Sequence, residues 1–275
     1  MSFTQGGLGL LRAKSLLGFS LIILLLAAAA CGSGSDREQK KKNNKPNKKT
    51  ENKATATEDK PDEPQKLTKE NAVDFLKKYG KKTDADKVKI STKYGDIKIK
   101  LFRNTPVHRA NFLYLTDFGY FDMTEFYRVS PGFVCQAGNS DDYETQQRRA
   151  DIGKYVLPAE FRDNRINKYG AVAMARQYKD NPDKHSSCYE FFINVGRPHK
   201  KKEIEEYEKK YGFNYTDDQV ETYLTIGGNP HLDTDHTVFG EVIEGMDAVE
   251  EINEVKVDRR EWPLESIPIE VEIIE

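Results

Sequence analysis

Residues 126–138 read FYRVSPGFVCQAG, and the reading of this stretch decides the fold. β-Formers run as far as Val129, Ser130-Pro131-Gly132 supplies a turn, and a second run opens on Phe133 and carries Gln136 three residues later. Strand side chains alternate faces. The pattern therefore places Phe126, Arg128 and Ser130 on one side, and beyond the turn Val134 and Gln136 together, opposite Cys135. An arginine, an aromatic ring and an amide are thus brought onto adjacent strands. Taken alone, the same stretch also suits a surface arginine lying over a sheet and a Phe133 in its core.

Three further segments narrow the reading. Residues 171–176 (AVAMAR) are followed by 190–194 (EFFIN), and 232–241 read LDTDHTVFGE. Together with 126–138 they resemble, in order, the motifs of the cyclophilin family of peptidyl-prolyl cis-trans isomerases: F-x-R-V-x-P-G-F with Q-x-G behind it, S-M-A-N followed by S-Q-F-F-I, and L-D-G-x-x-x-V-F-G. The resemblance runs from about Val88 to the last residue with one long interruption. It implies a mainly β fold, a closed antiparallel eight-stranded barrel capped by helices.

Local patterns agree with that expectation. Residues 88–102 alternate as a hairpin about Tyr94-Gly95-Asp96, and Thr105-Pro106 opens a helix as cap and first-turn proline. Later strands are expected at 171–175, 190–195, 237–242 and 267–274, with a short helix after Gly245. The interruption, 196–228, reads as a helical hairpin: Ile204, Tyr207 and Tyr211 recur at helical spacing, and Thr216 with Gln219 makes a capping box. It separates Phe192 from Leu232 and should emerge at the rim of the same cleft.

The family's chemistry assigns roles to the matched residues. Rotation about an X-Pro bond faces a barrier of about 20 kcal/mol because the amide nitrogen shares its lone pair with the carbonyl. By resemblance, Arg128, Phe133 and Gln136 are the catalytic residues. Arg128 would donate hydrogen bonds around the prolyl bond and favour a pyramidal nitrogen. Val134, Phe192 and Leu232 would complete the proline pocket, Ala175, Arg176 and Glu190 would line the peptide path, and His236 would close one wall. No metal or other cofactor is implied. The alternative function is a tethered module that binds proline-containing peptides with little turnover.

Four positions depart from the family pattern. Val134 stands for methionine or leucine, His231 for tryptophan, Arg176 for asparagine and Glu190 for glutamine. A carboxylate at Glu190 would compete with substrate for Arg128, so the expectation is that Arg176 takes up Glu190 and leaves Arg128 free.

The first third of the chain reads differently. Arg12 and Lys14 precede an apolar run over 15–30 that ends in alanines before Cys31-Gly32-Ser33, the form of a bacterial lipoprotein signal with Cys31 as the acylated residue. Residues 1–30 are read as the signal and 31–66 as a charged, disordered tether, able to reach roughly 30 Å on average and about 110 Å when extended. Residues 67–86 hold a short helix capped by Thr68, with Ala72, Val73, Leu76 and Tyr79 on its face, and 87–275 the isomerase-like domain. The expected address is the bacterial cell envelope, with the membrane as one partner and proline-containing polypeptides as clients of a monomer.

Charged residues make up 32% of the chain, yet the formal net charge is only -2. Losing Arg12 and Lys14 with the leader takes it to about -4, which argues against general nucleic-acid binding. Cys135 and Cys188 are expected as free thiols, Cys135 in the core.

Overall fold

In a computed structural model the described residues are 65–275. The expected signal, the acylated Cys31 and all but the end of the tether lie outside them. Among the described residues no helix is long and apolar enough to cross a membrane.

The chain enters as β1 (Leu67–Thr68) and α1 (Ala72–Gly80), then forms the hairpin β2 (Lys87–Thr92) and β3 (Gly95–Leu101), and α2 (Pro106–Asp117). Next come β4 (Glu125–Ser130), β5 (Val134–Asn139), α3 (Tyr143–Ile152), and the short strands β6 (Gly153–Lys154) and β7 (Val156–Leu157). β8 (Ala171–Met174), β9 (Ser186–Ser187) and β10 (Phe191–Asn194) precede the insertion helices α4 (Lys201–Tyr211) and α5 (Asp217–Thr225). β11 (Val238–Glu244), α6 (Met246–Asn253) and β12 (Glu270–Ile274) finish the fold.

Eight strands form one curled antiparallel sheet in the order β12-β2-β3-β11-β8-β10-β5-β4. The expected closed barrel is corrected here: the ladder is open, because β12 and β4 do not pair along their lengths. The segment just before β12 touches the start of β4 at one bridge, Glu125 to Pro268, flanked by Phe126 N–H to Ile267 O (2.9 Å) and Ile269 N–H to Thr124 O (3.1 Å). The last strand starts at Glu270 rather than at the expected Ile267.

Inside the curl, Phe112, Phe121, Phe191 and Phe239 form one aromatic cluster, with Phe112 4.6 Å from Phe121 and 5.1 Å from Phe191 between ring centres. α2 lies against β11 and β12, and α6 against β3, β4 and β5. α1 docks on α2 through Phe75 and Tyr79, which meet Tyr114 edge-on at 5.0 and 5.5 Å. Thr68 is not its cap: it belongs to β1, paired in parallel with β6, and the helix starts after Asn71.

Thr105 does not cap α2 either. Its hydroxyl donates to Phe102 O at 3.1 Å, and the helix's first N–H groups, Val107 and His108, donate instead to the Glu160 carboxylate at 3.1 and 2.9 Å. An anion at a helix N-terminus satisfies orphan donors whichever part of the chain supplies it. His108 Nδ1 also donates to Glu160 (2.7 Å), and its Nε2 faces Ser186 Oγ at 3.0 Å. These bonds hold the Glu160 carboxyl below its ordinary range although burial opposes them. Serine, histidine and glutamate are aligned here as in hydrolases, but all three are buried, and they clamp α2 to β9 and to the loop that carries Glu160.

The insertion has the expected form. Gln219 N–H reaches Thr216 Oγ1 at 3.3 Å and Thr216 N–H reaches Gln219 Oε1 at 2.9 Å, a complete capping box. Its two ends cross backbone to backbone. A Cβ on Gly196 would stand 2.2 Å from the Gly228 carbonyl oxygen, so the junction requires glycine.

Candidate active site

Arg128 and Gln136 face each other across β4 and β5, with Arg128 Nη1 donating to Gln136 Oε1 at 3.3 Å. Simple alternation would have placed Phe126 beside Arg128. The register slips between them, so Tyr127 is an extra residue on β4: Phe126 and Val129 enter the core while Tyr127 and Arg128 face outward. Tyr127 uses the exposure to accept a hydrogen bond from Gln136 Nε2.

The turn between the strands is held from α6. Gly132, at φ +68°, donates its N–H to Asn253 Oδ1 (2.7 Å), and Asn253 Nδ2 donates to Ser130 O (3.1 Å). That clamp fixes Phe133 at the mouth of a small apolar cluster. Val134, Ala173, Phe192, Leu232 and Val238 are buried in it, with Phe133 and Ala175 at its edge. β10 places Phe192 opposite both Gln136 and Ala173. Cys135, one residue from Val134, points into the main core, where burial pushes its thiol up to about 12. Cys135 and Cys188 are free thiols.

His236 closes the far wall edge-on to Phe192, 5.1 Å between centres. Its Nδ1 must donate to Met174 O (2.9 Å), because a carbonyl only accepts, and its Nε2 then accepts from Tyr178 OH (2.8 Å). Burial holds its pKa below the ordinary imidazole range, so both bonds belong to the neutral ring. Leu232 is held by the residue after it. Asp233 is buried and accepts from Asn167 N–H (2.7 Å), Asn167 Nδ2 (2.9 Å), Tyr215 OH (2.7 Å) and Tyr223 OH (2.5 Å). Burial still keeps its carboxyl above the ordinary range.

Both tyrosines belong to the insertion, and His231 is stacked between Phe133 (5.4 Å) and Tyr207 of α4 (6.2 Å). The insertion therefore packs against the segment that carries His231, Leu232 and Asp233.

The expected pairing of Glu190 with Arg176 is not made. Glu190 Oε1 lies 2.8 Å from Arg149 Nη2 on α3, and its other oxygen accepts from Ser187 Oγ. Arg176 Nη2 lies 3.1 Å from Asp235 Oδ2 and its guanidinium sits 4.2 Å from the Tyr178 ring centre. Burial opposes ionisation of Asp235, but Lys184 and Arg176 hold its carboxyl below the ordinary range. The Ala175 N–H and carbonyl are engaged by Glu190 O (2.9 Å) and Ser187 N–H (2.8 Å). Phe133, Val134, Phe192 and Leu232 thus share one apolar cluster, with His236 packed on Phe192 and the Arg128–Gln136 pair adjoining it through β5. Ala175 stands at its edge, and the charges of Arg176 and Glu190 are spent on other partners.

Two residues at the site carry no sequence signal. Arg149 lies on α3, whose buried residues are only Thr145 and Ile152, too few for an apolar period. Glu261, in the segment before β12, places Oε2 2.6 Å from Arg128 Nη2. Among the described residues no group of three side chains is arranged to hold a metal ion.

Comparison with known proteins gives a consistent result. The family model described as cyclophilin type peptidyl-prolyl cis-trans isomerase/CLD matches residues 87–273. A Staphylococcus aureus (strain COL) protein named for peptidyl-prolyl cis-trans isomerase activity is 33% identical over 190 residues, 67% of this chain and 89% of its own. A Streptococcus pyogenes protein, named for phosphatase and peptidyl-prolyl cis-trans isomerase activities, is 33% identical over 189 residues, 67% of this chain but 37% of its own. The crystal structure of a Cryptosporidium parvum cyclophilin type peptidyl-prolyl cis-trans isomerase matches with a TM-score of 0.50 at 22% identity, covering 70% of this chain and 98% of its own, a likeness of fold.

Proposed function

The chain belongs to the cyclophilin family and is a peptidyl-prolyl cis-trans isomerase, and from that premise we propose that Arg128, Phe133 and Gln136 carry the reaction. The observation behind this is the Arg128–Gln136 pair standing beside the apolar floor of Val134, Phe192 and Leu232. A proline ring seated on that floor, against Phe133 and His236, leaves its amide beside the guanidinium. Donation from Arg128 toward the prolyl nitrogen withdraws the lone pair from the carbonyl and lowers the rotational barrier, which for a free X-Pro bond is about 20 kcal/mol. Gln136 orients both arginine and peptide. The bond that rotates is never broken, so the step needs neither a nucleophile nor a proton acceptor.

Val134, Ala175, Phe192, Leu232 and His236 form the substrate's surroundings in this reading, and the backbone around Arg176 and Glu190 borders the peptide path. Pairing with Arg149 keeps the Glu190 carboxylate away from Arg128, one of whose donors is taken by Glu261. We further propose that the enzyme is anchored by lipid on Cys31 in a bacterial cell envelope and acts, as a monomer, on exported proteins. The support is the sequence: basic residues, an apolar run and small residues before Cys31, and a charged stretch behind it. A protease-free assay of cis-trans exchange in an X-Pro peptide tests the reaction assignment, with rapid exchange for the native protein and loss of it on Arg128→Ala.

A further inference from the structure

Glu261 sits in a turn built to present it. Asp258 Oδ1 accepts from the N–H groups of Arg260 (2.7 Å) and Trp262 (3.0 Å), Asp258 N–H donates to Trp262 O (2.8 Å), and Glu261 N–H donates to Asp258 O (3.1 Å). Val257 and Pro263 form a bridge that closes the base. Inside this turn Glu261 has φ +64°, a left-handed conformation that glycine or asparagine adopts far more readily than glutamate.

The turn is stitched to the catalytic strand at three points. Val129 N–H donates to Glu261 O at 2.8 Å, Ser130 Oγ donates to Glu261 Oε1 at 2.8 Å, and Glu261 Oε2 meets Arg128 Nη2 at 2.6 Å. The neighbouring residue acts on the other half of the pair. Trp262 packs on Tyr127, 5.5 Å between ring centres, and the Tyr127 hydroxyl holds Gln136.

Stability alone is a poor reason for this arrangement. The side chains of Arg128 and Glu261 are 34% and 38% exposed, and ion pairs at such exposure contribute little. A strained backbone around a functional arginine instead points to presentation of the carboxylate. Nor does Glu261 behave as a displaceable competitor for substrate, since its backbone and its other oxygen are fixed to β4. It occupies one end of a guanidinium whose other end is on Gln136. Three of the five N–H donors of Arg128 then have no partner among the described residues, and the planar group is held where they can meet a peptide.

We propose that Glu261 is a positioning residue for the isomerisation: it fixes Arg128 from behind while Trp262, through Tyr127, fixes Gln136. The inference rests on the assignment of Arg128 made above.

A double-mutant cycle in the full-length protein tests it. Glu261→Ala is expected to lower kcat/KM about tenfold or more, mainly in kcat, since a misplaced catalytic group costs rate more than binding. In an Arg128→Ala background the same change should alter kcat/KM by less than about twofold, because a residue acting through Arg128 has nothing left to act on. Glu261→Gly relieves the positive φ and should keep or raise the unfolding temperature while lowering activity as far as alanine does. Fluorescence of Trp262, the single tryptophan of the chain, reports that the turn is intact in each variant. Additive losses, unchanged activity in Glu261→Ala, or a gain in rate that marks Glu261 as a competitor would each overturn the proposal while leaving Arg128 as assigned. An Arg128→Ala protein of full activity would overturn both readings.

Discussion

Arg149 Nη2 lies 2.8 Å from Glu190 Oε1, a contact between α3 and the residue before β10 that keeps the Glu190 carboxylate off Arg128. Both side chains are 19% exposed, and Arg149 also donates to Tyr120 OH (2.7 Å) and Gly138 O (2.8 Å) while lying 4.8 Å from the Tyr189 ring centre. Glu190 is thereby a structural residue beside the proposed active site. Changing it to Gln leaves Arg149 without a counter-ion in a partly buried place, so the expected loss is about 1–3 kcal/mol of stability. Turnover of a short peptide should stay within about twofold of native at a temperature where both proteins are folded. Denaturant titration with peptide kinetics on the same samples checks this. A rate that falls as far as for Arg128→Ala, with unchanged stability, would make Glu190 a substrate-binding group instead.

Asp233 joins the insertion to the cleft. Tyr223→Phe removes one of its four donors without changing the ring, and leaving a buried carboxylate short of a donor costs about 1–3 kcal/mol. Burial raises the folded-state pKa of Asp233, so the native protein holds that proton more tightly than the unfolded chain. Stability from this group is present at low pH and lost as pH rises through the folded pKa. The variant should raise that pKa further. Its deficit relative to native is therefore expected to be larger at pH 7 than at pH 4, as read by thermal unfolding at the two pH values. An equal deficit at both would mean that the tyrosine acts by packing alone.

Protonation of His236 works in the opposite direction. Its folded pKa is lowered by burial, so stability from the neutral ring is present above the unfolded value of about 6.5 and lost as pH falls toward the folded pKa. His231, lowered by burial and then by the charges of His199 and Lys210, has the same sign. The unfolding temperature should fall between pH 7.5 and pH 5, and His236→Gln should flatten part of that slope. A slope unchanged by the substitution would remove His236 from the account.

The envelope assignment has its own test. Intact-mass measurement of protein extracted from membranes is expected to give a chain that begins at Cys31 and carries lipid. An unmodified Cys31, or a terminus elsewhere, contradicts it.

Much of this site was legible because its parts are local in sequence. The turn at Ser130-Pro131-Gly132, the alternation of Val134, Cys135 and Gln136, and the capping box of Thr216 with Gln219 each depend on neighbours a few residues away. The misreadings share a cause. Phe126 left the cleft because the register slips at Tyr127, which no alternation pattern contains. Thr105 lost the helix cap to Glu160, 55 positions along the chain. Glu190 was matched to the wrong arginine because α3 has no apolar period to reveal it. The open seam of the sheet is closed only by the bridge of Glu125 to Pro268, in a segment that reads as an ordinary alternating strand. Glu261 is the extreme case. Its link to Arg128 depends on a left-handed backbone in a loop 133 positions away, where side-chain periodicity carries no information.

Arg128, paired with Gln136 beside the floor of Val134, Phe192 and Leu232, is proposed to lower the barrier to X-Pro rotation. Exchange spectroscopy on an X-Pro peptide with native protein and Arg128→Ala, at matched folded concentration, measures that directly. Removing a donor aimed at the reacting group should cut the catalysed exchange rate by about a hundredfold or more, with peptide affinity changed far less. An Arg128→Ala protein that exchanges the peptide within about twofold of native would contradict the account.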